Sequence, residues 1–374
     1  MEAGLEAPFL QLFKCSALWP DPTEEPGFAA VLASAKRQLV TLFGDAPLVL
    51  NSPVLLSQLS ELPAEALEAL LESDDFGTDS EDTVLLLLAE WMAVNHDRTD
   101  ATARKRLCQQ VRLLQLGRAY LGSVLPALAA AWSQSSASPG GWFPITVQEA
   151  SFIASLANVA SALDREEWKK PAGKVYNLKS PWYQTRQRRQ CLPAGGREYD
   201  WSVSQLQIEV ELSKLQTDEA AFLHASVNGE LVKVVAHGLT WMPMLYERRQ
   251  QTSVRMVGLR CSAPAVFREG PLKLPGVGIL AAGYIDARLR VRHWKNGSLE
   301  DESTTVASTK PISLNGSGTG MSLERVKPLD ANGAVASPLA AWSAYLVEGK
   351  VMGSLTVLPM SALGRLAAGY TLRP

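Results

Sequence analysis

The side chains best suited to chemistry in this sequence fall into a few clusters. Asp74, Asp75, Asp79, Glu81 and Asp82 crowd five carboxylates into nine positions, a density that could hold a divalent cation. Their spacing lacks the glycine and the terminal glutamate of a calcium loop. Carboxylates at a helix start are stabilised by the free amides and the helix dipole, so a structural role is expected. Arg288, Arg290 and Arg292 alternate along one face of a predicted strand, with Asp286 in the row. Three guanidinium groups on one face could dock an acidic partner; the plain alternative is the solvated face of an antiparallel sheet. Arg186, Arg188 and Arg189 stand beside Trp182 and Tyr183, a mixture of cations and rings that single-stranded nucleic acid can use. No second copy of that cluster exists, and packing at an interdomain seam, with no nucleic acid bound, is expected. Arg104-Lys105-Arg106 reads as a solvated helix face.

The remaining candidates are weaker. Gly276-Val-Gly278 and Gly316-Ser-Gly318-Thr-Gly320 neither follow a strand and open a helix nor end in Gly-Lys-Ser/Thr, so they read as turns rather than phosphate loops. Asn296-Gly297-Ser298 and Asn315-Gly316-Ser317 fit the glycosylation pattern, which means little without a secretory signal. His96, His224, His237 and His293 never fall at metal-ligand spacing with one another or with a cysteine. No nucleophile is announced, and the expectation is a chain that is not an enzyme and carries no catalytic residue, metal or cofactor.

Composition sets the frame in which those residues must be held. A chain of 374 residues, 47% hydrophobic and 20% charged, can bury two ordinary cores. The cysteines Cys15, Cys108, Cys191 and Cys261 form no close pair, which excludes a disulfide framework or a paired-thiolate zinc site and points to a reducing compartment. Glu2 and Glu6 stand where a secretory signal would carry basic residues, and the longest uncharged apolar run, Ala119 to Trp132, is 14 residues and contains Pro126. A soluble cytoplasmic or nuclear protein with no membrane partner is expected. Residues 1–140 hold 9 Lys and Arg against 18 Asp and Glu, whereas residues 141–374 hold 27 against 20, so the halves have different surfaces.

The first half has helical periodicity. Phe28, Val31, Leu32, Ala35, Leu39, Leu42 and Phe43 form one stripe, opened by Pro26 and stopped by Gly44. Ser52-Pro53 and Leu62-Pro63 are two further starts, with Leu67, Leu70 and Leu71 facing one way. Thr78 and Glu81, then Thr146 and Glu149, have capping-box spacing. The first of these opens a helix with Val84, Leu87, Leu88 and Trp91 on one side. A helix from about Ala101 buries Leu107, Val111 and Leu114 and ends near Gly117. Ile153, Leu156, Ala160 and Leu163 carry the pattern to about Asp164.

The period changes in the second half. Gln205 to Leu212 alternates strictly, with Leu206, Ile208, Val210 and Leu212 on one face, which predicts a half-buried strand. Asn228-Gly229 and Asn296-Gly297 are hairpin turns. The second follows a strand with Ile285, Ala287, Leu289 and Val291 inward, and Trp342 to Leu358 reads as a last strand pair broken near Gly349. The expected fold is multi-domain, all-α then β: helices over 1–165, a connecting segment over 166–200, and an antiparallel β-sandwich over 201–374.

The run Leu62-Pro63…Glu65-Ala66-Leu67…Leu70-Leu71-Glu72-Ser73-Asp74-Asp75-Phe76…Ser80-Glu81-Asp82…Val84…Leu88…Trp91 resembles the BACK domain. That is the helical module following a BTB domain in substrate adaptors of cullin-RING ubiquitin ligases. The likeness continues through Arg104, Leu107, Val111-Arg112-Leu113-Leu114, Tyr120-Leu121 and Val124-Leu125-Pro126. The strand order of the second half, with Trp342…Tyr345-Leu346-Val347…Gly349-Lys350-Val351…Leu355-Thr356-Val357, resembles the MATH/TRAF-type sandwich of plant and algal BTB-BACK proteins. The 50 or so residues ahead of the BACK-like run are expected to form its first helical pair rather than a BTB domain, which in the family supplies dimerisation and most of the cullin contact.

The resemblance implies a non-catalytic protein-interaction adaptor whose partners are a cullin or a BTB-bearing protein and a protein client. It would place a cullin-side contact on the first helical pair, at Leu10, Phe13, Leu18, Val31 and Leu39. The client side would use Arg288, Arg290 and Arg292. Trp241 and Tyr246, near Arg248 and Arg249, could form an aromatic platform for a client, carbohydrate or small ligand if exposed, and belong to the core if buried. A scaffold without a ligase connection is the alternative.

Overall fold

The structure, a computed structural model, describes residues 8–136, 138–159, 161–215, 219–229, 231–248, 254–276, 282–283, 286–306, 312–313, 319–322 and 339–359. Ala160, Arg249, Gly278, Ile285, Asn315, Gly316, Ser317 and Gly318, named above, lie outside them. The chain divides into two compact units. One holds the chain up to Cys191 together with Ala263–Ala281; the other holds Leu192–Ser262 and the strands from Ala282 onward. Helices build the first and antiparallel sheets the second.

The helical unit contains α1 (Pro8–Lys14), α2 (Pro26–Phe43), α3 (Ala46–Leu50), α4 (Pro53–Ser60), α5 (Ala64–Glu72), α6 (Glu81–Asn95), α7 (Ala101–Gln109), α8 (Leu125–Gln134), α9 (Val147–Ala157) and α10 (Ala162–Ala172). Local chemistry sets their starts. Asp45, Ser52, Asp100, Thr146 and Ser161 each accept from a backbone amide of the first turn, satisfying donors that have no partner inside the helix. Gly44, at φ +67°, ends α2, as its position in the sequence predicts. Helix α6 is the centre of the unit: Val84 to Ala89, Trp91 and Met92 are buried on every side of it. Trp91 Nε1 donates to the Leu62 carbonyl at 3.0 Å and Asn95 to the Ser60 carbonyl at 3.0 Å, fixing the α4–α5 turn against α6.

Four helix expectations are corrected. Helix α7 ends at Gln109 and the chain makes a 3-10 turn over Leu113–Gln115, leaving Leu114 half-buried while Val111 and Leu113 are buried. The cause is upstream, because the Glu81 carboxylate takes the Arg112 amide at 2.8 Å and the Asp82 carboxylate takes the Gly117 amide at 2.8 Å. Thr78 and Glu81 form no capping box: Ser80 is the cap residue, and Thr78 Oγ1 donates to its carbonyl at 2.6 Å. At Thr146 the forward half of the box forms, but Glu149 accepts from the Tyr183 hydroxyl instead of reaching back. Leu163 is exposed rather than continuing the buried stripe.

The β unit contains β1 (Arg197–Ser204), α11 (Gln205–Ser213), β2 (Ala220–His224), β3 (Ser226–Val227), β4 (Val234–Ala236), β5 (Leu239–Arg248) and β6 (Val254–Ser262). After α12 (Ala265–Arg268), which belongs to the helical unit, come β7 (Ala282–Gly283), β8 (Ala287–Lys295), β9 (Ser298–Val306), β10 (Ile312–Ser313), β11 (Thr319–Ser322), β12 (Leu346–Val347) and β13 (Lys350–Val357). One sheet runs β3-β1-β13-β8-β9, with β12 beside β13; a second runs β11-β6-β5-β2, with β4 beside β5; β7 and β10 pair separately. All strand pairs are antiparallel, giving the all-α then β-sandwich organisation that the periodicity predicts.

Register fixes the core. Trp201, Gly353 and Val291 lie side by side across three strands, as do Tyr199, Leu355 and Leu289. A Cβ on Gly353 would stand 2.7 Å from the Trp201 ring and collide with the Arg290 carbonyl, so only glycine lets the indole lie across β13. A 3-10 segment, Ala340–Tyr345, joins the two sheets: Trp342 Nε1 donates to Glu247 at 2.7 Å while Tyr345 packs on His293. Trp342 therefore precedes the last strand pair rather than belonging to it. Asn296 (φ 52°) turns the β8–β9 hairpin read from the sequence, whereas Asn228 (φ 47°) sits in a turn closed by the Val227–Leu231 bridge, the flanking β2 and β4 pairing with β5 and not with each other.

The largest correction is Gln205–Leu212, which is α11 and not a strand. The alternation misleads because only Ile208 and Leu212, one turn apart, are buried, while Leu206 and Val210 are exposed. Ser204 caps the helix through the Gln207 amide. Residues 166–200 are not a bare connector either, since they carry most of α10, the buried Trp182 and Tyr183, and the first residues of β1.

Candidate interaction surfaces

The acidic cluster and the Arg186–Arg189 cluster, read separately in the sequence, meet. Arg188 Nε donates to Glu81 at 3.2 and 3.4 Å, its other nitrogens donate to the Ser73 carbonyl at 3.1 Å and the Gln110 carbonyl at 2.9 Å, and both charged side chains are buried. Arg112 binds Asp74 through a short charge-assisted contact and reaches the Arg186 carbonyl at 3.1 Å, while Arg186 pairs with Asp74 at 3.0 Å. The backbone follows the same path: the Thr78 amide donates to Arg189 and the Cys191 amide to Thr78, a parallel bridge that lays residues 189–191 along the α5–α6 turn. The seam expected at Arg186, Arg188 and Arg189 thus lies inside the helical unit.

Electrostatics follow from that packing. The Arg112 hydrogen bond holds the Asp74 carboxyl below the usual carboxylate range. Burial pushes Asp82 well above it, reinforced by Asp79 and Glu81 and opposed by the Gly117 amide. Asp79 accepts from Thr83 Oγ1 at 2.6 Å and from the Ser80 amide at 2.7 Å. These carboxylates bind backbone and guanidinium groups, and among the described residues no cluster of His, Cys, Asp and Glu could hold a metal ion. Arg104 and Arg106 are not a free face: Arg104 donates to the His96 and Thr99 carbonyls and Arg106 to Glu68 at 3.0 Å, leaving Lys105 exposed.

Helices α4 to α8, with their buried acidic turn and central tryptophan, span the run on which the resemblance rests. Residues 54–126 match the family model of BACK, described as BTB And C-terminal Kelch. No curated protein matches the chain.

Ahead of the BACK segment, Phe13 is buried against Trp19 at 5.7 Å between ring centroids, and Leu39 is buried. Both belong to the core and not to a contact surface. Leu10 is half-buried, whereas Leu18 (82%) and Val31 (55%) are open to solvent. Of the residues expected to face a cullin, Leu18 and Val31 are open to solvent.

In the β unit, Arg288, Arg290 and Arg292 point away from the core of β8 as the alternation predicts. The row is partly self-neutralised, with Arg290 3.7 Å from Glu198 and Arg292 3.7 Å from Asp301. Arg288 faces Thr356 and Thr305 across the sheet and has no ion pair among the described residues. Asp286, expected in that outward row, is buried instead. Trp241 and Tyr246 form no platform. They sit five positions apart on β5 and so face opposite sides of the sheet. Trp241 is fully buried and donates to the Ala236 carbonyl at 2.9 Å, and Tyr246 is half-buried with its ring 5.0 Å from Phe222. Sequence reasoning did not pick out a further feature, an aromatic groove on α9 and α10. Its signal was present as Trp168, Pro171 and Tyr176 recurring at helical spacing in a segment read as a connector.

Among the described residues, no helix is long and apolar enough to cross a membrane.

Proposed function

We propose that this chain is a non-catalytic interaction adaptor of the cytoplasm or nucleus. Its BACK segment couples it to a BTB-bearing partner and through that to a cullin-RING ubiquitin ligase, and its MATH/TRAF-like sandwich binds the client. The BACK match over residues 54–126 carries the reading. It is supported by the acidic cluster, whose carboxylates are consumed in holding the segment together, and by the exposed Leu18 and Val31 on the helices just before it. An adaptor of this kind acts by effective concentration and orientation, not by bond chemistry.

Affinity capture with the full chain from native extract tests it. Enrichment of a cullin together with a BTB-bearing protein, reduced by Leu18→Asp and Val31→Asp, is the expected result. Recovery of neither would remove the ligase connection and leave a scaffold.

A further inference from the structure

Helices α9 and α10 and the turn after them enclose an open groove of about 530 Å³ lined by Phe152, Glu167, Trp168, Pro171, Ala172 and Tyr176. One wall is rigid. Phe152 stacks on Tyr176 with centroids 5.2 Å apart and planes 23° apart, and it leans on Tyr183 at 6.2 Å, whose hydroxyl is tied to Glu149. The lining also includes Trp168, which is 50% exposed and makes no hydrogen bond or ring contact among the described residues. An indole left half in water at a groove is a large apolar surface without a partner.

The charge pattern says what would fill it. Aromatic faces carry negative quadrupole charge, and the single charged residue of the lining is the carboxylate Glu167. Two neighbouring amines are turned to carboxylates of their own helix, Lys169 to Glu166 and Lys170 to Glu167, while Lys174, in the turn, is exposed and makes no ion pair among the described residues. Rings plus one carboxylate complement a cation on an apolar stem. A bare ammonium would bring three N–H donors and a guanidinium five, whereas Glu167 is the sole charged acceptor among the lining residues. A methylated ammonium spreads its charge over methyl groups and needs few acceptors or none. We propose that this groove binds the methylated lysine side chain of a protein partner. The Lys170–Glu167 contact, between two exposed side chains, is a weak competitor for the carboxylate. The proposal does not depend on the ligase connection.

The test uses the full chain and two short Gly/Ser peptides, one carrying a single trimethyl-lysine and the other an unmodified lysine at the same place. Binding is read by fluorine NMR of the fluorotryptophan-labelled protein, with the Trp168 signal assigned by its loss in Trp168→Phe. The trimethyl-lysine peptide is expected to shift that signal and to bind about tenfold more tightly than the lysine peptide, a difference of the order of one cation–π contact. Trp168→Ala should abolish binding with an unchanged unfolding midpoint, Glu167→Gln should weaken it, and Lys170→Ala should strengthen it. Equal affinity for the two peptides, insensitivity to Trp168→Ala, or no shift with either peptide would each overturn the proposal.

Discussion

The Arg188 guanidinium lies 3.2 Å from the Glu81 carboxylate across 107 residues of chain, with both side chains closed off from water. Taking two charges out of water is expensive, and the pair is tolerated because each partner is bonded further: Glu81 also holds the Arg112 amide, and every nitrogen of the Arg188 guanidinium has an acceptor, two of them backbone carbonyls. The pair fastens the segment after α10 to the acidic turn of the segment that matches BACK.

Removing one partner strands the other, so Arg188→Met is expected to cost the helical unit about 3–5 kcal/mol. Replacing both, as Glu81→Leu with Arg188→Met, should recover most of that loss. Urea unfolding followed by a probe in the helical unit measures it; a single variant no worse than the double would disprove the coupling.

Asp82 gives a pH signature of definite sign. Burial raises its folded pKa above the unfolded value, so the folded state favours the protonated form. The stability it contributes is full below the unfolded carboxyl value and is lost as pH rises toward the folded one. Asp82→Asn should therefore gain over the native chain as pH climbs from about 4 toward neutrality. Thermal midpoints of both proteins across that range test this, and a difference independent of pH would contradict it.

Gly353→Ala should break the first sheet, because the added methyl meets both the Trp201 ring and the Arg290 carbonyl. Overpacking of this kind costs about 1–3 kcal/mol. Trp201→Phe in the same chain should fail to rescue it, since the backbone obstacle remains, and full rescue would show that the indole alone sets the limit.

The arginine row should matter little for stability. Arg290→Glu and Arg292→Glu lose exposed ion pairs worth about 1 kcal/mol at most. Arg288→Glu, which breaks no ion pair among the described residues, is the variant that separates recognition of an acidic partner from folding. Unchanged capture of the clients with it would rule out docking of an acidic partner at that point.

Some of this protein was written locally in its sequence. Glycine after Phe43, serine before Pro53, threonine three residues ahead of Glu149 and the two Asn-Gly dipeptides act on their own backbone neighbours, so helix ends and turns could be read from them directly. The outward alternation of Arg288, Arg290 and Arg292 was equally local. Tertiary structure decided wherever a side chain chose between neighbours near in sequence and partners far away. Glu81 had capping-box spacing, yet it turned inward to Arg188 and Arg112, because a buried guanidinium and an otherwise unpaired amide need a carboxylate more than a solvent-reachable cap does. Leu206 and Val210 kept strand alternation in a helix, since burial of Ile208 and Leu212 was enough to hold it. Trp241 was drawn into a core and Trp168 left beside a groove. An indole's burial depends on which elements pack over it, and that information is spread along the whole chain rather than carried by the residue.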